Sequence, residues 1–166
     1  MIYLIRHARP VHSGVLLGSM DSPLAVEHLE PSALRVERIW ASPLTRARRT
    51  AELMFPGREL VIVPGLAERG LGAWEGMSWA EVKERRPTEA ALALEDWFGF
   101  TPQGGEPWSE FVERVRAVWL SLPREGATAI VAHAGVNSVL HGLATGADVS
   151  GFQQDYGEVV EIVVPD

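Results

Sequence analysis

Two histidines stand where a strand should end. Ile2-Tyr3-Leu4-Ile5 is apolar and mostly β-branched or aromatic, too short for a helix and bounded by Pro10, and Arg6-His7 follows it. Ala127 to Ala132 is a similar run, followed by His133-Ala134-Gly135, so the second histidine repeats the position of the first. In open α/β sheets the carboxyl ends of strands are where ligands bind. An arginine fork suits phosphate oxygens, and a histidine near neutral pH serves as acid, base or nucleophile. Together these residue types point to phosphoryl chemistry. The alternative, polar residues that merely end a strand in water, is the commoner fate of a lone Arg-His pair.

Further chemistry-bearing groups lie between the histidines. Ser42-Pro43-Leu44-Thr45-Arg46 reads as a helix start, with Ser42 as N-cap and Pro43 at the first helical position. Leu44, Ala47, Ala51 and Met54 share one face, and Arg46 falls off that stripe beside the helix N-H groups, a plausible anion site. The competing reading is a solvated face carrying Arg46, Arg48 and Arg49. The glycine-spaced loop from Leu66 to Gly76 carries Glu68 and Glu75, and position alone selects neither as an acid or base.

The remaining pattern supplies the scaffold. Arg38-Ile39-Trp40-Ala41, Leu60-Val61-Ile62-Val63 and Val159 to Val164 read as strands. Residues 8 to 23 are turn-rich and form a loop over the first strand's carboxyl end, and residues 24 to 36 make a weak helix interrupted by Pro31. Ser78 to Arg86 is a helix capped by Ser78, Thr88 to Phe98 another, and Ser109 caps a third. In that third helix Phe111, Val112, Val115, Val118, Trp119 and Leu122 form a core stripe stopped by Pro123. A final helix carries Val136, Val139, Leu140 and Leu143. Alternating strands and helices predict a three-layer α/β/α sandwich with a mixed, mostly parallel sheet, built as one domain over residues 1–166.

Composition narrows the function. The net charge of -7 removes the overall bias of a nucleic-acid binder but leaves room for a local basic pocket. The absence of cysteine removes thiolate nucleophiles and cysteine zinc sites. The amino terminus lacks a signal-peptide pattern and no apolar run reaches membrane-spanning length, so neither membrane nor nucleic acid is expected as partner, and a cytoplasmic location is the default.

Taken in order, four segments resemble the histidine phosphatase superfamily, which also contains the cofactor-dependent phosphoglycerate mutases. Leu4-Ile5-Arg6-His7-Ala8 is similar to its opening Arg-His-Gly motif, and Ser42 to Ala51 matches its Ser-Pro-Leu-x-Arg-Ala-x-x-Thr-Ala helix at every fixed position. Leu66 to Gly76 matches its Leu-x-Glu-x-x-x-Gly-x-Trp-Glu-Gly loop, and His133-Ala134-Gly135 its His-Gly/Ala-Gly turn. The resemblance implies a phosphoglycerate mutase-like fold with His7 as nucleophile and Arg6, Arg46 and His133 gripping the phosphoryl group. It implies Glu68 as proton donor and then base, with neither metal nor cofactor. Ala134 and Ser13 complete the implied substrate contacts, Ser13 standing where an asparagine often helps bind phosphate. The residues alone do not choose His7 over His133 or Glu68 over Glu75; the family does.

Departures from the pattern are Ala8 for glycine, Arg9-Pro10 for Glu or Gln then Thr, and a missing Gly-x-x-Gln-Ala pattern between Leu24 and Ser42, which implies that this helix is shortened or lost. The expected activity is hydrolysis of a small phosphorylated metabolite, in look closest to the α-ribazole phosphate phosphatase and broad-specificity branch. A mutase is disfavoured because residues 77 to 103 offer only Lys83, Arg85 and Arg86 as cations. The competing classes are a phosphate-ligand binding or scaffold protein of the same fold, and a metallohydrolase. The latter is disfavoured because no His-x-His or His-x-x-x-His pair occurs.

Overall fold

The computed structural model describes residues 1–163. Five strands form one sheet: β1 (Ile2–Arg6), β2 (Arg38–Ala41), β3 (Val61–Ile62), β4 (Thr128–Ala132) and β5 (Val159–Ile162), in the order β3-β2-β4-β1-β5. The first four run parallel and β5 pairs antiparallel with β1, giving the mixed sheet expected. Val164, assigned to the last strand from the sequence, lies outside the described residues. Side chains alternate across the sheet as the strand period requires. Ile2 and Leu4 of β1 and Ile130 and Ala132 of β4 enter one core, while Ile5, Ala129 and Val131 enter the other.

Helices cover both faces. On the first, α4 (Trp108–Ser121) and α5 (Ala134–Thr145) bury Phe111, Val115, Val118, Val136 and Leu140. On the second, α1 (Thr45–Met54) buries Ala51, with Phe55 beyond its end. The pair α2 (Trp79–Arg85) and α3 (Pro87–Glu95) builds a smaller core around Trp74, Val82, Ala90 and Ala93, with Leu16 from the long first loop packed on it. Ser78 caps α2 in a full capping box with Glu81, as its spacing predicts.

Four local expectations change. No helix forms between β1 and β2; the stretch is extended, with Leu24 bridged to Pro10, Ala25 N-H bonded to Arg9 O and Ser32 N-H to Met54 O. Pro23 and Pro31 leave too short a run to repay helix nucleation, and Val36 fills the face in its place. Second, α1 begins at Thr45 rather than Pro43, because Ser42 continues the β2 ladder through its N-H to Val131 O at 3.0 Å. The capping role passes to a distant residue: Asp21 accepts from Thr45 N-H at 2.8 Å and from its hydroxyl at 2.7 Å. Third, β3 keeps only two residues at the sheet edge; Val63 N-H still bonds to Ala41 O at 2.9 Å, and Pro64, which has no N-H, ends the pairing there. Fourth, α4 starts at Trp108 with Pro107 at the cap position, so Ser109 lies inside the first turn.

Candidate active site

The topology explains why two distant histidines meet. Strands β1 and β4 are parallel neighbours with Arg6 paired to Ala132, so the residues that leave both strands, His7 and His133, emerge side by side. His7 N-H continues the ladder to Ala132 O at 3.0 Å, and the two ring centroids are 5.1 Å apart. Strand β2, on the other side of β4, ends at the same level and delivers Ser42, whose hydroxyl lies 2.7 Å from His133 Nε2.

A cavity of about 320 Å³ opens over these strand ends, and its lining includes Arg6, His7, Arg46, Glu68, Ala134 and Gly135. Both histidines are buried. His7 Nδ1 lies 2.7 Å from Ala8 O; a carbonyl only accepts, so Nδ1 carries the proton and Nε2 keeps its lone pair. Burial, reinforced by Arg46 and Arg6 and opposed by the bond to Ala8, lowers the His7 pKa from 6.5 to about 3. Burial chiefly, with Arg46 next, holds His133 well below its ordinary value as well. Both imidazoles are therefore neutral at pH 7.

Arg6 stacks on Tyr156, 4.0 Å from the ring centroid, and donates from Nη1 to Gln154 O at 2.6 Å. Gln154 is itself pinned, donating to Leu4 O and accepting from Asn137. Arg46 is buried while Arg48 and Arg49 are exposed, so the helix face divides between the two readings of the arginine cluster. Its Nη1 and Nη2 donate to Met20 O and Gly18 O, both at 2.7 Å, tying the long loop to α1. The helix N-terminus is not open to an external anion at Thr45, because the Asp21 carboxylate occupies that N-H. Arg6 Nε, Arg46 Nε and His133 Nδ1 are buried without a hydrogen-bond partner among the described residues. Three adjacent residues with unspent nitrogens form an electropositive setting for an anion.

The two candidate carboxylates separate cleanly. Glu68 borders the cavity and accepts from Arg69 N-H and Gly135 N-H, both at 3.0 Å. Surrounding protein raises its pKa above the usual glutamate value, against the pull of those N-H groups, Arg46 and Arg114. Glycine at 135 lets the Glu68 carboxylate approach closely: a Cβ there would lie 2.5 Å from Glu68 Oε1 and would push that carboxylate aside. Glu75 instead accepts from Ser19 N-H, Ser19 Oγ and Leu71 N-H, bracing the loop. Ser13 is outside the cavity lining, its hydroxyl 3.2 Å from Nε of exposed Arg9. Ala8 is buried and no non-glycine residue among those described has positive φ, so alanine meets no strain in the glycine position.

Several residues bordering the cavity escape sequence reasoning, chiefly Tyr156 and Trp108. Tyr156 sits in a turn whose Gly157 N-H bonds to Arg6 O, and no local motif announces that long-range contact. Among the described residues no group of three His, Asp or Glu side chains is placed to hold a metal, and no helix is long and apolar enough to cross a membrane.

Residues 2–165 match the family model described as the histidine phosphatase superfamily (branch 1). Among solved structures, the alpha-ribazole phosphatase from Shigella flexneri superposes with a TM-score of 0.84 at 26% identity, covering 95% of this chain and 87% of that one. A phosphoglycerate mutase from Thermus thermophilus superposes at 0.75 with 31% identity over 99% of both chains. A 6-phosphofructo-2-kinase/fructose-2,6-bisphosphatase from Caenorhabditis elegans is 26% identical over 145 residues, 81% of this chain, which spans only 32% of that protein's length. The motif order read from the sequence, the strand-end geometry and the whole-chain match agree: the chain belongs to the histidine phosphatase superfamily.

Proposed function

We propose that the protein hydrolyses small phosphomonoesters through a phosphohistidine on His7. The supporting observation is the convergence of His7, whose Nε2 lone pair is free, with Glu68, Arg6 and Arg46 around one cavity, backed by His133, whose ring centroid lies 5.1 Å from that of His7. In the first step His7 Nε2 attacks phosphorus, the ester P-O bond breaks, and Glu68 passes its proton to the leaving oxygen. A carboxyl with a raised pKa suits that donation. Arg6 and Arg46 stabilise charge on the phosphoryl oxygens. His133 acts as a neutral donor: the Ser42 hydroxyl, already accepting from Leu44 N-H, donates to His133 Nε2 and leaves the proton on Nδ1. In the second step Glu68 takes a proton from water, the resulting hydroxide attacks phosphorus, and the P-N bond breaks to restore His7.

Hydrolysis is favoured over mutase chemistry by the rest of the cavity wall. That wall includes Val15, Leu16, Leu71, Trp97, Trp108 and Tyr156. Its one further cation, Arg69, is committed to Glu106 O and Phe100 O. A second phosphate would find no grip there, whereas a flat or apolar alcohol would. This matches the kind of ester named for the Shigella relative, α-ribazole phosphate, and broad specificity for apolar esters.

The test is hydrolysis of p-nitrophenyl phosphate, α-ribazole phosphate and 3-phosphoglycerate by wild type and His7→Ala. Expected are turnover of the first two, its loss in His7→Ala, and acid-labile, base-stable phosphate trapped on His7. Equal wild-type and His7→Ala rates would leave only a binding protein. Phosphate transfer on 3-phosphoglycerate exceeding hydrolysis would make it a mutase.

A further inference from the structure

Arg114 on α4 does not border the cavity, yet it is wired to the loop that carries Glu68. Its Nη1 donates to the carbonyl oxygens of Gly65 and Ala67, both at 2.8 Å. Its Nε and Nη2 meet Glu106 Oε1 and Oε2 at 2.9 and 2.8 Å, a two-pronged ion pair. Glu106 continues the connection: Oε2 accepts from Gly70 N-H at 3.3 Å, its N-H bonds to Gly70 O at 2.8 Å, and its carbonyl accepts from Arg69 Nε at 2.9 Å. Glu68 thus sits in the middle of an arc held on its amino-terminal side by Arg114 and on its carboxyl-terminal side by Glu106. The arc is pressed onto α4, because a Cβ at Gly65 would collide with Val118 Cγ2.

A pair with side chains 28% and 21% exposed would contribute little to stability as a simple surface ion pair. What distinguishes this one is where the donors go. Two are spent on the main-chain carbonyls of Gly65 and Ala67, three residues and one residue before Glu68, and a planar fork is needed to serve carbonyls and carboxylate together.

We infer that Arg114 and Glu106 are positioning residues for proton transfer, holding the Glu68 carboxyl within reach of the leaving oxygen without touching substrate. This rests on the reading of Glu68 as acid and base. The carboxyl must lie within hydrogen-bond distance of that oxygen, so a shift of the arc by about 1 Å costs on the order of 100-fold in the step it serves. The step that does not need it, expulsion of a good leaving group, is spared.

The geometry also offers a rescue. An open hollow of about 410 Å³ adjoins the arc, its lining including Glu68, Gly70, Glu106, Glu110 and Arg114. Removing the Arg114 side chain opens space there for a free guanidinium ion.

The experiment compares kcat/KM on p-nitrophenyl phosphate and on glycerol 2-phosphate, an alkyl ester with a poor leaving group, for the full chain and its Arg114→Ala, Arg114→Lys, Glu106→Gln and Glu68→Gln variants. Expected is a loss of about 10- to 100-fold on the alkyl ester in Arg114→Ala with p-nitrophenyl phosphate within about 3-fold of wild type. Added guanidinium should restore alkyl-ester turnover in Arg114→Ala but not in Glu68→Gln, and Arg114→Lys should fall between. If Arg114→Ala does not fold, Glu106→Gln, which keeps the side-chain size, should show the same selective loss. Equal losses on both esters without rescue, or wild-type behaviour of Glu106→Gln, would overturn the inference while leaving Glu68 in its role. No leaving-group dependence in Glu68→Gln itself would overturn both.

Discussion

Replacing His7 by asparagine isolates what the folded protein does to this imidazole, independently of catalysis. In the unfolded chain the ring takes up a proton near pH 6.5; in the folded chain burial postpones that to about 3. Between these values the unfolded state binds more protons, so acidification favours unfolding. The stability contributed by keeping His7 neutral is fully present above pH 6.5 and declines as pH falls toward 3. For one such group the loss is about 2 kcal/mol at pH 5 and about 5 kcal/mol once the folded ring also protonates. His133 acts in the same direction, and Glu68, whose folded pKa is raised, acts oppositely. Both remain in His7→Asn, so they largely cancel in the comparison. Urea unfolding at pH 8 and pH 5 in phosphate-free buffer reads the difference. Wild type should lose about 2 kcal/mol more than His7→Asn over that interval. Identical pH dependence in the two proteins would refute the buried, neutral His7, and with it the argument that its Nε2 is unprotonated and ready to attack.

Three other outcomes are expected. Glu68→Gln should slow alkyl phosphates by about 10²- to 10⁴-fold, the usual scale of general acid-base catalysis, and p-nitrophenyl phosphate far less; matched losses would remove the proton-donor role. Gly135→Ala places a methyl against Glu68 Oε1, and should lower alkyl-ester kcat/KM by about 10-fold or more through displacement of that carboxyl; an unchanged rate would show that the close approach is dispensable. Ser78→Ala dissolves the capping box of α2, so urea denaturation should show a loss of about 1 kcal/mol. Wild-type stability in that variant would mean that the α2 terminus is held by packing alone.

Features that depend on a few neighbouring residues are legible in the amino-acid order alone. The strand runs before Arg6 and His133, the Phe111-to-Leu122 stripe, the Ser78 cap and the order of four family motifs are all local patterns, and each appears in the fold where it was expected. Features that depend on partners far along the chain emerge with the fold. Pairing of β1 with β4 brought the histidines together. A carboxylate from Asp21 took over the cap of α1, which left Ser42 to serve His133. Folding of the 66–76 loop turned Glu68 toward the cavity and Glu75 toward Ser19, although the two are equivalent as letters. Ser13, expected among the substrate contacts, lies out on the loop with Arg9, and Tyr156 stacks on Arg6 with no nearby signal. Periodicity and capping are written in short-range sterics and hydrogen bonding, which a short window contains. Which strand ends lie side by side, and which side chain satisfies a buried nitrogen, follows from burying the whole sheet at once.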